Sequence, residues 1–171
     1  MNELKHTETS IQYVLGKIYG IERGYITMPN VLMGRYEADF IYINKNRYLV
    51  EVEIKISISD FKADFKKGVF HNHRKIRALY YAIPRDLFKN HWETILELTK
   101  SVGAGVVVVD ETCCEVYQKA KLRNVQPLDD YEVQSFMRIG CLKWIKRWNT
   151  HCQPPTPGGA IVPAGNERLR G

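Results

Sequence analysis

Asp39, Glu53 and Lys55 are the residues whose types and spacing point most directly to chemistry. Each lies in a short run rich in β-branched and aromatic residues. Asp39 is in Tyr36-Glu-Ala-Asp-Phe-Ile-Tyr-Ile43; Glu53 and Lys55 are in Tyr48-Leu-Val-Glu-Val-Glu-Ile-Lys-Ile56. Two carboxylates that face each other across adjacent strands repel unless something positive sits between them, and a divalent cation answers that need. Glu53 and Lys55 are two apart, so on a strand they share a face about 6 to 7 Å apart, close enough to serve one phosphate and its ion from two sides.

The elements that must position these residues are two strands and their turn. Both runs alternate with period 2 and flank Asn44-Lys45-Asn46-Arg47, a hairpin signature. On the second strand Val50, Val52, Ile54 and Ile56 share one face, and Glu51, Glu53 and Lys55 the other. On the first, Glu37, Asp39, Ile41 and Ile43 form one set and Ala38, Phe40 and Tyr42 the other. A loop of Lys45, Asn46 and Arg47, with Asn46 suited to the left-handed position, sets residue 39 opposite 53 and 37 opposite 55. A loop one residue shorter or longer flips that pairing.

An aspartate on one strand followed by Glu-x-Lys on the next, here Asp39 and Glu53-Ile54-Lys55, resembles the PD-(D/E)xK nuclease superfamily. The run from Val50 to Asp64, followed by the strand-like Leu79-Tyr-Tyr-Ala-Ile-Pro84, looks like its MmcB-type, DNA-repair-associated branch, over about residues 30 to 120. Ala38 stands where the superfamily's name has proline. The resemblance implies a restriction-endonuclease-like α/β fold, a mixed β-sheet flanked by helices with a central acidic hairpin. It also implies a metal-dependent nuclease acting on DNA, in repair or processing. Asp39, Glu53 and the Ile54 backbone carbonyl would hold Mg²⁺ (or Mn²⁺), and Lys55 would orient the attacking water or neutralise charge on the phosphate. Glu37 and Glu51 are supporting candidates on the same strands. Glu8, near the start of the first helix, is a further metal candidate by position, or a carboxylate that stabilises the helix N-terminus. Arg35 resembles a basic residue that precedes the acidic strand, and an exposed arginine would look the same.

After Lys55 the chain turns helical, with Ser59 as the expected cap. Asp60 and Asp64 share one face of that helix. They either border the active site and orient Lys55 or the water around the metal, or serve the helix dipole and pair with Lys67 or Arg74. Lys62, Lys66, Lys67, Arg74 and Lys75, with His73 among them, form the densest positive stretch and the expected DNA-backbone contacts. His71 and His73 at i, i+2 lack further ligands at matching spacing, which favours a phosphate contact or solvation over zinc.

The remainder reads as scaffold. A helix at about 8–20 is expected to be capped by Thr7 or Thr9, and residues 24–34 form a loop or short extra strand. Residues 78–83 are a buried strand, and 86–100 a helix with a stripe of Leu87, Trp92, Ile95, Leu96 and Leu98. Val106–Val109 is a strand covered on both faces, with 115–118 its hairpin partner. A last helix at about 129–148 carries Val133, Phe136, Met137, Cys141, Trp144, Ile145 and Trp148 along one side. Residues 1–150 make one domain, and 151–171, rich in Pro and Gly, a disordered tail whose deletion leaves the melting temperature unchanged.

The net charge of +6 in 171 residues favours a polyanionic partner. No apolar run suits a membrane span and no signal peptide is apparent, so a cytoplasmic location is expected by default. Cys113, Cys114, Cys141 and Cys152 show neither zinc nor disulfide spacing and read as idle thiols. A homodimer is compatible with all of this. The rival readings are a nucleic-acid-binding module of the same fold without catalysis, and a structural or interaction protein in which Glu37 pairs with Lys55 while Glu51 and Glu53 face solvent.

Overall fold

The structure is a computed structural model that describes residues 6–66, 71 and 73–152, the last nine as backbone only. Lys67 and the tail beyond Cys152 lie outside the described residues. The elements are α1 (Glu8–Leu15), running on as a π-helical stretch over Gly16–Glu22, then β1 (Ile26–Leu32), β2 (Glu37–Ile43), β3 (Leu49–Ile54), α2 (Ile58–Asp64), β4 (Ile76–Pro84), α3 (Arg85–Ser101), β5 (Gly105–Val109), β6 (Cys114–Gln118) and α4 (Asp130–Cys152). They form an α/β fold with a mixed six-stranded sheet in the order β1-β2-β3-β4-β5-β6. The pairs β3–β4 and β4–β5 are parallel, the other three antiparallel.

Residues 24–34, left open between loop and strand, supply edge strand β1. Asn30 has a left-handed backbone there, with φ of 52°. The pairs Pro29–Phe40 and Val31–Ala38 leave it opposite Asp39.

The hairpin has the odd-loop register, with Phe40 opposite Val52 and Ile43 opposite Leu49, so Asp39 and Glu53 fall in line. The left-handed residue is Arg47, with φ of 61°, and not Asn46. In a three-residue loop built on a type I turn the third position carries the positive φ. Asn44 compensates by accepting the N–H groups of Asn46 and Tyr48 on its side-chain oxygen.

Both faces of β3 are buried. Phe40, Tyr42, Val50, Val52 and Ile54 pack with Ile11, Val14 and Leu15 of α1. On the opposite face Ile41, Ile43 and Leu49 pack near Val133, Phe136 and Ile139 of α4. Leu79, Tyr81 and Ile83 pack on Phe61 of α2 and on Phe88 and Ile95 of α3. By strand alternation Asp39, Glu51 and Glu53 lie on this second face, between its two apolar patches.

Several sequence expectations shift in detail. Thr7 caps α1 through Ser10 in a capping box. Ser57 caps α2, accepting the Asp60 N–H at 3.2 Å, and Ser59 instead meets the Ser57 hydroxyl. Trp92 stands half-exposed, and α3 buries Phe88, Ile95 and Thr99. In α4 the inward stripe runs through Val133, Phe136 and Ile139, while Met137 and Cys141 are exposed. The side chains of Trp144, Ile145 and Trp148 lie outside the described residues. Strands β5 and β6 pair as expected. Gly105 has room for no side chain, since a Cβ there would lie 2.4 Å from the Tyr80 ring and 2.6 Å from the Gln118 carbonyl oxygen. Among the described residues no helix is long and apolar enough to cross a membrane.

Candidate functional site

The charged face of β3 is not a solvent face. Glu51, Glu53 and Lys55 are 0%, 3% and 5% exposed, and Asp64 of α2 is 2% exposed. That overturns the premise of the structural rival, in which these glutamates are solvated. Burying carboxylates is unfavourable unless each is paired, and the pairs here are explicit.

Glu53 is the hub. Its Oε1 lies 3.4 Å from the Asp39 backbone N–H and 3.5 Å from His71 Nδ1, while its Oε2 lies 3.7 Å from Lys55 Nζ. Burial and the neighbouring charge of Asp39 push the Glu53 carboxyl up to about 8, against the opposing pull of His71 and Lys55. Asp39, half-buried on β2, accepts the Ile54 N–H on Oδ2 at 2.8 Å, which clamps the aspartate across to β3.

Lys55 points toward α2, not toward Glu37. Its ammonium lies 3.5 Å from Asp64 and 3.9 Å from Asp60. The placement of Asp60 and Asp64 on one face of α2 thus brings both to the lysine. Asp64 also accepts the Tyr81 hydroxyl at 3.1 Å, from the β4 residue that pairs with Glu53. Glu37 is exposed at the start of β2, opposite Leu32.

Glu51 accepts the Tyr36 hydroxyl on Oε2 at 2.7 Å, and its Oε1 lies 2.7 Å from His71 Nδ1. The other ring nitrogen of His71 lies 3.1 Å from Asp64 Oδ2. Burial alone would lower the His71 pKa, but its hydrogen bonds to Asp64 and Glu51 and the charge of Glu53 outweigh burial and raise it to about 10. The expectation of a phosphate-facing or solvated His71 is therefore corrected: the imidazole is part of the acidic cluster. Arg123 Nη2 donates to the His71 carbonyl at 2.8 Å and ties that backbone to the segment after β6.

Glu51, Glu53 and His71 each offer a ligand atom within 4.8 Å of the others, a set that can hold a metal ion. Only Glu53 of these three belongs to the Asp39–Glu53–Ile54 set that the motif suggests. Sequence reasoning missed His71, Tyr36 and Tyr81. Parity places Glu51 on the face of Glu53 as a supporting candidate, but nothing local marks a histidine seven residues beyond Asp64.

Glu8 is exposed at the start of α1 and accepts from Gln12 at 3.1 Å and from Asn30 at 3.4 Å. Gln12 in turn donates to the Asp39 carbonyl at 3.0 Å. Glu8 thus reaches Asp39 through an amide and not through its own carboxylate. In the basic stretch Lys62, Lys66 and Arg74 are exposed. Lys75 pairs with Glu132 at 2.6 Å, which occupies its charge. His73 is partly buried, which lowers its pKa, and accepts the Lys75 N–H at 3.4 Å.

No family model and no curated protein matches the chain. Among solved structures, the SPO1766 protein of unknown function from Silicibacter pomeroyi is similar in fold, with a TM-score of 0.61 and 13% identity over 92% of this chain and 99% of that one. At that identity the likeness speaks to the architecture alone.

Proposed function

We propose that the chain is a metal-dependent nuclease of the PD-(D/E)xK type, with a restriction-endonuclease-like sheet, that hydrolyses phosphodiester bonds in DNA. The observation that carries this reading is the convergence of Asp39, Glu53 and Lys55. The two acids fall in line across the β2–β3 hairpin, and Glu53 stands between the Asp39 backbone and the Lys55 ammonium.

The donor set fits a hard dication. Asp39 and Glu53 are carboxylates from adjacent strands, the Glu53 carboxyl is raised by burial and by the Asp39 charge, and Ile54 ends β3 beside them. These residues, with the Ile54 carbonyl, would hold Mg²⁺ or Mn²⁺. A bound ion of this kind polarises a scissile phosphate and acidifies a water. Lys55, held by Asp60 and Asp64, brings a fixed positive charge to the same face and stabilises charge that builds on the phosphate. Exposed Lys62, Lys66 and Arg74 supply phosphate-backbone contacts, consistent with the net charge of +6.

The test is cleavage of single-stranded, duplex, nicked and branched DNA, paired with calorimetric Mg²⁺ and Mn²⁺ titration. Glu53→Ala should remove ion binding and cleavage together, and Lys55→Ala should spare the ion and remove cleavage. Unaltered cleavage by a folded Glu53→Ala, Lys55→Ala double variant would overturn the assignment. Ion and DNA binding without cleavage of any form would leave the inactive binding module.

A further inference from the structure

We infer that Glu51, Glu53 and His71 form a second cation position, adjoining the Asp39–Glu53 pair through the shared Glu53, and that it takes a transition-metal dication such as Mn²⁺, Co²⁺ or Zn²⁺ in preference to Mg²⁺. The inference deepens the metal reading above and rests on it only at Glu53.

The geometry is that of an oriented imidazole ligand. Asp64 Oδ2 lies 3.1 Å from His71 Nε2, on the far side of the ring from Nδ1, which hydrogen-bonds Glu51 Oε1 at 2.7 Å and lies 3.5 Å from Glu53 Oε1; loss of the Nδ1 proton turns that nitrogen into a ligand aimed at both glutamates while Asp64 keeps the N–H on Nε2. Carboxylate, imidazole, then metal is the order by which ligating histidines are fixed in tautomer and ring orientation. The supporting groups are themselves held. Tyr81 donates to Asp64, Tyr36 donates to Glu51 Oε2 and so leaves Oε1 turned inward, and Arg123 holds the His71 carbonyl. The Tyr36 ring meets the His71 ring edge-on, with centroids 5.1 Å apart.

Charge leads to the same place. Glu51, Glu53 and Asp64 are buried together with Asp39 beside them, and among the described residues Lys55 and His71 are the positive groups that hydrogen bonds and ion pairs bring to them. A dication bound at Nδ1 takes the place of the proton that His71 shares with Glu51, and so adds positive charge where the carboxylates crowd together. An imidazole nitrogen in the donor set disfavours Mg²⁺, which prefers oxygen ligands and retains its waters, and favours Mn²⁺, Co²⁺ and Zn²⁺.

The experiment uses the tag-free full chain without DNA. Calorimetry should give Co²⁺ binding about 100-fold tighter than Mg²⁺. Pulsed EPR of the Mn²⁺-loaded protein should show ¹⁴N modulation from a coordinated imidazole. His71→Ala should abolish the nitrogen signal and weaken Co²⁺ by about 10- to 100-fold, and Asp64→Asn should keep the signal while weakening Co²⁺ about tenfold. Asp39→Ala should leave the nitrogen signal in place. If His71→Ala loses its circular dichroism, Glu51→Gln replaces it and must weaken Co²⁺ to the same extent. The inference is overturned if wild-type Mn²⁺ shows no nitrogen coupling, if the coupling survives His71→Ala, or if Co²⁺ binds no better than Mg²⁺. A nitrogen signal with no DNA cleavage would uphold this site and sink the nuclease reading; Mg²⁺-dependent cleavage without nitrogen coupling would do the reverse.

Discussion

Two ionic clusters in this protein are built from the same kinds of side chain and differ in what surrounds them. Between α3, the end of β5 and β6, Arg85 Nε donates to both oxygens of Asp110 at 2.7 and 2.8 Å, and Arg85 Nη2 reaches Glu115 at 3.0 Å. Water reaches this cluster, and its hydrogen bonds to Arg85 hold the Asp110 carboxyl below its usual range. Arg85 and Asp110 both favour the charged form there. In the cluster on β3, burial works against charge, and Glu53 is pushed in the opposite direction, up to about 8. One carboxyl is held charged by an exposed partner, and the other is pressed toward its neutral form by burial. Surface pairs of the first kind contribute little to stability. A buried ionic cluster is weak evidence for stability, and a strongly shifted carboxyl within it marks a candidate site.

The largest effect expected from breaking this contrast is kinetic. If Lys55 has the role proposed for it, Lys55→Ala should lower kcat for DNA cleavage by about 10³-fold while leaving Mn²⁺ affinity within about threefold, since a group that acts on developing charge leaves the ion in place. Single-turnover cleavage beside Mn²⁺ calorimetry checks both halves.

Next comes the pH dependence of the metal-free protein. Glu53 binds its proton more tightly when folded, near 8, than at its ordinary value of 4.5. Below about 4.5 both folded and unfolded states are protonated and nothing is lost; stability should fall as pH rises from there through about 8, where the folded carboxyl must ionise. Glu53→Gln should flatten that slope between about pH 4.5 and 6.5 and raise stability at pH 8 by about 4 kcal/mol, with little change at pH 4.5. Thermal melts in chelator across this range supply the measurement, and a wild-type profile flat over the window would refute the burial argument.

A smaller effect separates exposed from paired bases in the positive stretch. Arg74→Gln should reduce the slope of log K against log salt for DNA binding by about one unit, whereas Lys75→Gln, already matched to Glu132, should reduce it by much less. Equal slopes for the two variants would remove the distinction. Smallest of all, Arg85→Ala should shift the melting temperature by no more than about 2 °C, less still at high salt, as expected of an exposed pair.

How much of this was legible in the sequence depends on how far each contact reaches along the chain. The facing of Asp39 and Glu53 follows from the parity and length of one hairpin, both local. The alternation of strands and helices and the pairing of β5 with β6 are local in the same sense. His71 was not legible, because its partners Glu51, Glu53 and Asp64 come from β3 and α2, and only the folded sheet brings them to one imidazole. Tyr36 and Tyr81 read as strand-forming aromatics, and only burial reveals that their hydroxyls serve Glu51 and Asp64. The inward stripe of α4 was misplaced for a different reason. A helix turns about 100° per residue, and of the expected stripe Val133 and Phe136 do face the core, while Ile139 joins them in place of Met137 and Cys141; apolar residues on both sides hid the choice. Gly140 lies on the inward side, where a Cβ would come within 3.1 Å of Met28.

Asn30 bends out of the ladder at φ of 52°, and Gln12 donates to the Asp39 carbonyl that a strand residue opposite would ordinarily serve. One rung of the sheet is therefore completed by a helix side chain from 27 residues upstream. Contacts of that sequence separation form only after the chain has closed a loop over itself, whereas a three-residue hairpin forms early. Folding thus lays down the strand that carries Asp39 before it finishes the surroundings of that residue, and the docking of α1 becomes the step that completes the candidate site.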